Sequence, residues 1–341
     1  MTPVTERDRT RSESSKRRGS SLARKRARAG LLFVLPQVFG LLVFTAGPLV
    51  ASLGLSFTHW DLVAPGPTFT GLENWQYLLH DDRIPAVLWN TVRFILVGTT
   101  TFLVFSLLAA LVTFTPRRGV GIYRAALFLP YVLSQIAVGV VWRWMFNSQS
   151  GPVTLLVELV AGSSPDWLLD PRTAMPSIAM VVTWQTVGYG MTLYISALQG
   201  VPTPLVEAAT IDGANWWQRF RHVTVPLISP TVFFLTVTYL IGAFQLFDPV
   251  VAMTGASVGG SGPATAGGPS DSTRTMVLYM YNQMFNYNDS ISGLGYAAAI
   301  AWMLAMLIFL VTAAQFVFGG RLVYYEGDRT PRRRRRRGGA A

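Results

Sequence analysis

The hydrophobic pattern of this chain is dominated by long uncharged runs. Six lie at roughly 31–58, 92–115, 122–146, 175–200, 227–253 and 293–320. A spanning helix needs about 20 mostly apolar residues, because lipid offers its backbone no hydrogen-bond partner. The pattern therefore predicts an all-α integral membrane protein with six transmembrane helices. The first uncharged run, Leu31 to Thr58, is far longer than the roughly 7 to 15 residue core of a cleaved signal peptide, and reads as a retained span. A shorter apolar run, GPVTLLVELVAG from Gly151 to Gly162, suits a helix lying on the membrane surface.

Between the fourth and fifth runs the pattern breaks for EAATIDGANWWQRF, Glu207 to Phe220. Thr203 is placed to cap a helix, with Pro204 in its first turn, where a missing N–H does no harm. Gly213 is placed to end that helix. Asn215 with Gln218 three residues later forms an approximate capping box for a second short helix carrying Trp216, Trp217 and Phe220. On the first helix Leu205, Ala208, Ala209 and Asp212 share a face by their spacing, and the paired alanines let another backbone approach closely. At this level two readings stand, a surface loop on lipid headgroups or a docking element for another protein.

Composition supports the membrane reading: 51% of the 341 residues are hydrophobic and 13% charged, unlike an ordinary soluble globule. Cysteine is absent, and His59, His80 and His222 are dispersed, which leaves no thiolate chemistry and no evident metal site. The net charge of +11 raises the question of nucleic acid. However, residues 1–28 carry +7 and residues 321–341 carry +6, so the remainder sums to −2. The excess flanks the apolar part, as positive-inside sorting requires. This predicts a basic cytoplasmic tail over 1–30, a membrane domain over 31–320 and an arginine-rich cytoplasmic tail over 321–341, drawn to anionic lipid, with no nucleic-acid partner. It also places the polar hairpin in the cytoplasm and the acidic loops outside.

Polar residues within spans cost free energy unless they face a bundle interior or a wet path. Gln185, Tyr189, Thr192 and Ser196 form a stripe in the fourth run. Thr231, Thr238, Gly242 and Gln245 form another in the fifth, with Asp248 just beyond. Such groups, with an aromatic platform at Tyr189 or Tyr239, either serve a sugar-like solute or bond between helices. The tryptophans Trp60, Trp89, Trp142, Trp144 and Trp167 sit near predicted span ends and suit an interfacial belt.

The hairpin resembles the EAA motif of ABC importer permease subunits, and it continues through DGANWWQRFRHVTVPLISP in the form typical of the carbohydrate-uptake branch. FTGLENWQYLL, LWNTVRF, YRAALFLPYVLSQIAVGVVWRWMF, LYISALQGVPTPLVEAA and LGYAAAIAWML resemble that branch in the same order, over about 35–320. The resemblance implies a coupling helix that docks on a cytoplasmic ATPase subunit, with Glu207, Ala208, Ala209 and Gly213 matching the motif and Asp212 and Ala214 its extension. It further implies a second permease subunit, two ATP-binding cassette subunits and an extracellular solute-binding protein. The substrate would be a sugar or oligosaccharide, or within the same family a polyol, glycerol phosphate or peptide. The glycine-rich loop after the fifth run is longer than the family's turn, and the arginine tail is foreign to its pattern.

A P-loop requires Gly-Lys followed by Ser or Thr. Lys16 and Lys25, the two lysines, are each followed by arginine and preceded by no glycine. This chain cannot supply a Walker A site, and the resemblance implies that ATP and Mg are bound by the partner ATPase subunits and that this chain carries no cofactor and no catalytic site of its own. A transporter driven by an ion gradient would place ionisable groups at mid-membrane, and the centres of these runs hold essentially none.

The charge asymmetry makes the topology testable. Cysteines introduced at Asp81 and Ser270 are expected to react with an impermeant thiol reagent in intact cells, and one at Arg118 is not. Labelling at Arg118 equal to that at Ser270 would overturn the orientation.

Overall fold

The computed structural model describes residues 29–60, 65–255, 266–285 and 293–319. Nearly all of the 1–30 tail, the whole 321–341 tail and much of the glycine-rich loop lie outside them. Helix α1 spans Ala29–Leu55, with a π turn at Leu42–Ala46. A small antiparallel hairpin follows, β1 Thr58–His59 against β2 Thr68–Phe69, so the fold is not wholly α. Then come α2 (Glu73–His80), α3 (Arg83–Phe114), α4 (Val120–Val132), α5 (Gln135–Met145), α6 (Pro152–Ala161), α7 (Ala174–Gln199) and α8 (Thr203–Ile211). Helix α9 runs Trp216–Phe244, and α10 (Asp248–Thr254), α11 (Met276–Met284) and α12 (Leu294–Gly319) complete the described chain.

Among the described residues four helices, α1, α3, α9 and α12, are long and apolar enough to cross a membrane, and a fifth candidate is the pair α4 and α5, so the expected six-span pattern is seen in part. The run at 122–146 is not one helix, because α4 and α5 meet at 102°. Pro130 lacks the N–H for an intrahelical bond, and Leu133 (ψ 150°) and Ser134 (ψ 129°) turn the backbone out of the helix. The run at 227–253 is also divided: α9 ends at Phe244 and α10 starts at Asp248. Helix α7 coincides with the fourth run and is about 39 Å long at 1.5 Å per residue, but Thr183, Gln185, Thr186, Thr192 and Ser196 dilute its apolar character.

Helix α7 is the packed centre of the molecule. Its Ile178, Val182, Met191 and Tyr194 are buried, as are Phe94, Phe102 and Ala110 of α3, the helix against which it makes its longest contact. Where lipid surrounds helices, association depends on close packing and interhelical hydrogen bonds more than on apolar burial. Both occur here. Thr101 and Thr183 join their hydroxyls at 2.8 Å across α3 and α7. Gly188 of α7 lies so close to the α4 backbone at Leu127 and Phe128 that a β-carbon would overlap it. By contrast, α1 buries none of its large apolar side chains, and Phe33, Phe39 and Phe44 are open.

At the end of the bundle opposite the α8 hairpin, a carboxylate joins three elements. Asp81, ahead of α3, accepts hydrogen bonds from the hydroxyls of Tyr279 in α11 and Tyr296 in α12, the latter at 2.6 Å, and from the Arg83 backbone N–H at 3.0 Å. Burial pushes its pKa up, but these hydrogen bonds and the Arg83 charge outweigh that and hold it below the ordinary value of 3.8. This partly enclosed side chain is a poor labelling site, and the exposed neighbour Asp82 is the better partner for Ser270.

A carboxyl whose pKa is depressed by folding stabilises above its unfolded pKa, and that contribution is lost as pH falls through the folded value. Asp81→Asn is expected to lower the unfolding free energy by about 1.5–3 kcal/mol near neutral pH, the range for hydrogen bonds to a charged group. The gap from wild type should close below about pH 4. Thermal unfolding in detergent at a series of pH values measures it, and a gap unchanged at the acid end contradicts the assignment.

Candidate functional sites

The polar hairpin is built as an elbow. Pro202, with extended backbone, occupies the N-cap of α8, so Thr203 is the first helical residue and does not cap it. Pro204 removes one of the orphan N–H groups that a cap would serve. Gly213 ends the turn at φ +82°, the left-handed region, with its N–H on Thr210 O at 3.0 Å and the Ala214 N–H on Ala209 O at 3.0 Å. The capping box is complete: Gln218 N donates to Asn215 Oδ1 at 2.9 Å and Asn215 N to Gln218 Oε1 at 2.8 Å.

The second arm is not the separate short helix expected. It continues through a π turn at Phe220–Thr224, where the Val225 N–H reaches back to Phe220 O. The next residue, Pro226, offers no N–H, and the ladder resumes as α9. Trp216 and Phe220 stack at 5.4 Å with planes 3° apart. Glu207, Ala208, Asp212 and Gly213 are exposed, while Ala209 and Ala214 are half-buried in the elbow. Among the described residues Glu207 has no hydrogen bond or ion pair for its carboxylate. The hairpin thus offers an acid, small residues and open apolar groups such as Ile211, Trp216 and Trp217 on a fixed turn.

The second site is a cavity of about 380 Å³. It lies where the break between α4 and α5 faces the break between α9 and α10. Tyr131 and Gln135 border the first break and Gln245 to Pro249 the second, while Thr186 and Tyr189 of α7 and Thr238 and Tyr239 of α9 form walls. A broken helix leaves backbone groups that must find partners. At the first break Gln185 Nε2 donates to Leu133 O at 3.1 Å. At the second, Thr275 Oγ1 donates to Leu246 O at 2.7 Å. Two stacked aromatic pairs stiffen the walls, Tyr131 on Tyr189 at 5.0 Å and Phe102 on Tyr239 at 4.4 Å.

Of the residues singled out for a solute path, Tyr189, Tyr239, Gln245 and Asp248 line this cavity, as do Thr238 and Gly242 of the second stripe. Gln185 and Thr192 do not. The first is buried on the Leu133 carbonyl, and the second bonds Gly188 O in its own helix at 2.9 Å. Reasoning from the sequence missed Tyr131 and Gln135, whose place depends on a bend inside an apolar run. The Pro130–Ser134 interval was the available signal. Trp142 and Trp167, expected in an interfacial belt, both pack on Phe146.

Known proteins are similar to this chain in sequence and in fold. The chain is 32% identical over 305 residues to the probable ABC transporter permease YesP of Bacillus subtilis, covering 89% of this chain and 94% of that one. It is 35% identical to the lactose transport system permease LacF of Rhizobium radiobacter, covering 87% and 96%. It is 32% identical to the sn-glycerol-3-phosphate transport system permease UgpA of Agrobacterium fabrum, covering 86% and 95%. The fold matches a chain of a bacterial ABC transporter involved in the import of the acidic polysaccharide alginate, with TM-score 0.72 at 18% identity, covering 89% of this chain and 100% of that one. Residues 84–324 match the family described as the binding-protein-dependent transport system inner membrane component. The matched segment begins in α3 and takes in the elbow and every residue of the cavity, and the chain is a multi-pass membrane protein of that family, an ABC transporter permease.

Proposed function

We propose that this chain is a membrane-spanning subunit of an ATP-driven importer for a sugar-like solute, in the cell membrane with both termini cytoplasmic. Its six spans are α1, α3, the bent pair α4 and α5, α7, α9 with α10, and α12. The α8 hairpin is the coupling helix, docked in a cleft of an ATP-binding cassette subunit through Glu207, Ala208, Ala209, Asp212, Gly213 and Ala214. ATP and Mg are held by two such partner subunits, and no bond is made or broken in this chain. A second permease subunit completes the path, and an extracellular solute-binding protein delivers the solute. One relative of the fold is a transporter solved with a periplasmic protein bound to an alginate pentasaccharide. The relatives' names span a neutral disaccharide and a phosphorylated triol.

The observation that carries this reading is the elbow itself. An exposed Glu207, without a partner among the described residues, sits on a turn fixed by a left-handed glycine and a complete capping box, and the second arm of that turn is the start of α9, whose far end borders the cavity. A loop resting on headgroups needs none of that rigidity. ATP-driven closure of the cassette pair then moves the docked hairpin and, with it, α9, so that the cavity opens alternately to the two sides.

Two magnitudes separate docking from a bland loop. Glu207 lies past the first turn of α8, in the middle of the helix, where the helix dipole adds little, whereas removing one member of a desolvated interfacial pair costs roughly 2–5 kcal/mol. Glu207→Ala with Gly213→Val is expected to leave the protein in the membrane but to release the ATPase subunits, or to leave them hydrolysing ATP without uptake. Co-purification of the ATPase with the double variant, together with normal uptake, would sink the coupling-helix assignment.

A further inference from the structure

A second cavity, of about 410 Å³, lies at the end of α7 remote from the α8 hairpin, between the end of α5 and the loop that leads into α7. Arg143, Trp144 and Asn147 border it from the α5 side, and Asp166, Trp167 and Leu169 from the loop. It shares no residue with the cavity between the two helix breaks. Arg143 and Asp166 bring opposite charges to one pocket, yet among the described residues neither forms an ion pair. Arg143 Nη1 reaches the Ala252 carbonyl at 3.4 Å, near the outer limit of a hydrogen bond, and the rest of the guanidinium has no partner among the described residues. The Asp166 backbone oxygen accepts from Thr173 and Asp170, while its exposed carboxylate has no such partner. A cation in the last turn of α5 suits the helix dipole, which accounts for Arg143 but not for the open acid in the same pocket. The surroundings are apolar and open. Val140 and Trp144 of α5 are exposed, and α6, which packs beside α5, leaves Leu155, Leu156, Leu159 and Val160 uncovered.

Resting on the membrane topology of the permease reading above, which sets this end of the bundle at the outer interface, we propose that the pocket binds the phosphoethanolamine headgroup of a membrane lipid, the phosphate on Arg143 and the ammonium on Asp166. A guanidinium matches a phosphate with parallel N–H donors. A primary ammonium has three donors and no acceptor, and an ionised carboxylate only accepts. One zwitterion therefore satisfies both unpaired groups, each with its complement. A choline headgroup has no N–H to give Asp166, and a glycerol headgroup brings an anion without a cation to offset the acid. Trp144 and Trp167 suit the headgroup level, where indoles concentrate, and their ring faces attract an ammonium. The open valines and leucines of α5 and α6 continue outward as a surface for acyl chains. A water-soluble ligand would have no use for them.

The test uses the complete transporter purified in detergent. Native mass spectrometry follows lipid adducts on this subunit as dioleoyl-phosphatidylethanolamine, -phosphatidylcholine or -phosphatidylglycerol is titrated in, with O-phosphoethanolamine as the soluble probe. The expected result is one phosphatidylethanolamine adduct favoured about tenfold over the other two lipids, the effect of one hydrogen bond to a charged group. That preference should be lost in Arg143→Gln and in Asp166→Asn, and kept in Asp82→Asn, an exposed acid outside the pocket. Asp166→Lys gives the pocket two cations and should turn the preference toward phosphatidylglycerol, which a merely structural role for Asp166 would not do. Equal affinity for the three lipids overturns the proposal, as does an intact preference in either Arg143→Gln or Asp166→Asn. Binding of O-phosphoethanolamine as tight as that of the lipid also overturns it, since the ligand would then be a soluble one. So does the lack of a selective adduct on the complete transporter, the outcome if the second permease subunit covers the pocket. Co-purification of the ATPase subunits judges the permease reading separately. If they are absent that reading fails, and the same titration on this chain alone decides the lipid site.

Discussion

Backbone polar groups in an apolar surround must be satisfied, and the two places where this chain leaves the helix in mid-bundle show how that rule builds a site. A broken helix exposes a carbonyl that lipid cannot solvate, so each break survives only where a side chain arrives to bond it. Gln185 serves Leu133 and Thr275 serves Leu246. Once both breaks are held, the helices on either side diverge, and the space between them is bordered by side chains that a pair of straight helices would have turned toward each other. The cavity is the product of two satisfied interruptions. Its polar character follows from the same cause, because Gln135, Gln245 and Asp248 sit within two residues of a break.

This makes Gln185 a supporting residue even though it shares a stripe with Tyr189. Its amide is spent on the scaffold, and the close approach of Gly188 to α4 places the donor within reach of the bent chain. Position on a helix face distinguished neither role, since residues 185 and 189 lie nearly one above the other. What separates them is the bend in α4 and α5, which brings a free carbonyl toward one and an aromatic partner toward the other.

The elbow, by contrast, was legible. Gly213 at positive φ and the reciprocal bonds of Asn215 and Gln218 are local devices, fixed by residues within a few positions, and such signals read directly from sequence. The continuation of the second arm into α9 was not, because a π turn depends on how the ladder accommodates a missing N–H at Pro226. The long apolar runs located the helices well but gave their ends and breaks poorly. Pro130 and Gln245 interrupt runs whose composition barely changes across the break. The Asp81 clasp joins residues about 200 positions apart in the chain, and no spacing rule connects an aspartate before one helix to tyrosines in two others.

The helical path from the elbow into α9, which passes the π turn at Phe220–Thr224 and Pro230, has a mechanical consequence. Twenty-nine residues from Trp216 to Phe244 make a rod about 43 Å long at 1.5 Å per residue. A rod of that length that pivots by about 10° at one end sweeps the other through roughly 7 Å, more than the height of one helical turn. Tyr239 and Gln245 stand at the swept end and the tryptophan pair at the other. The same geometry that turns the chain at Gly213 therefore gives leverage. Under the docking proposed for the hairpin, a small rotation there would reach the cavity as a much larger movement.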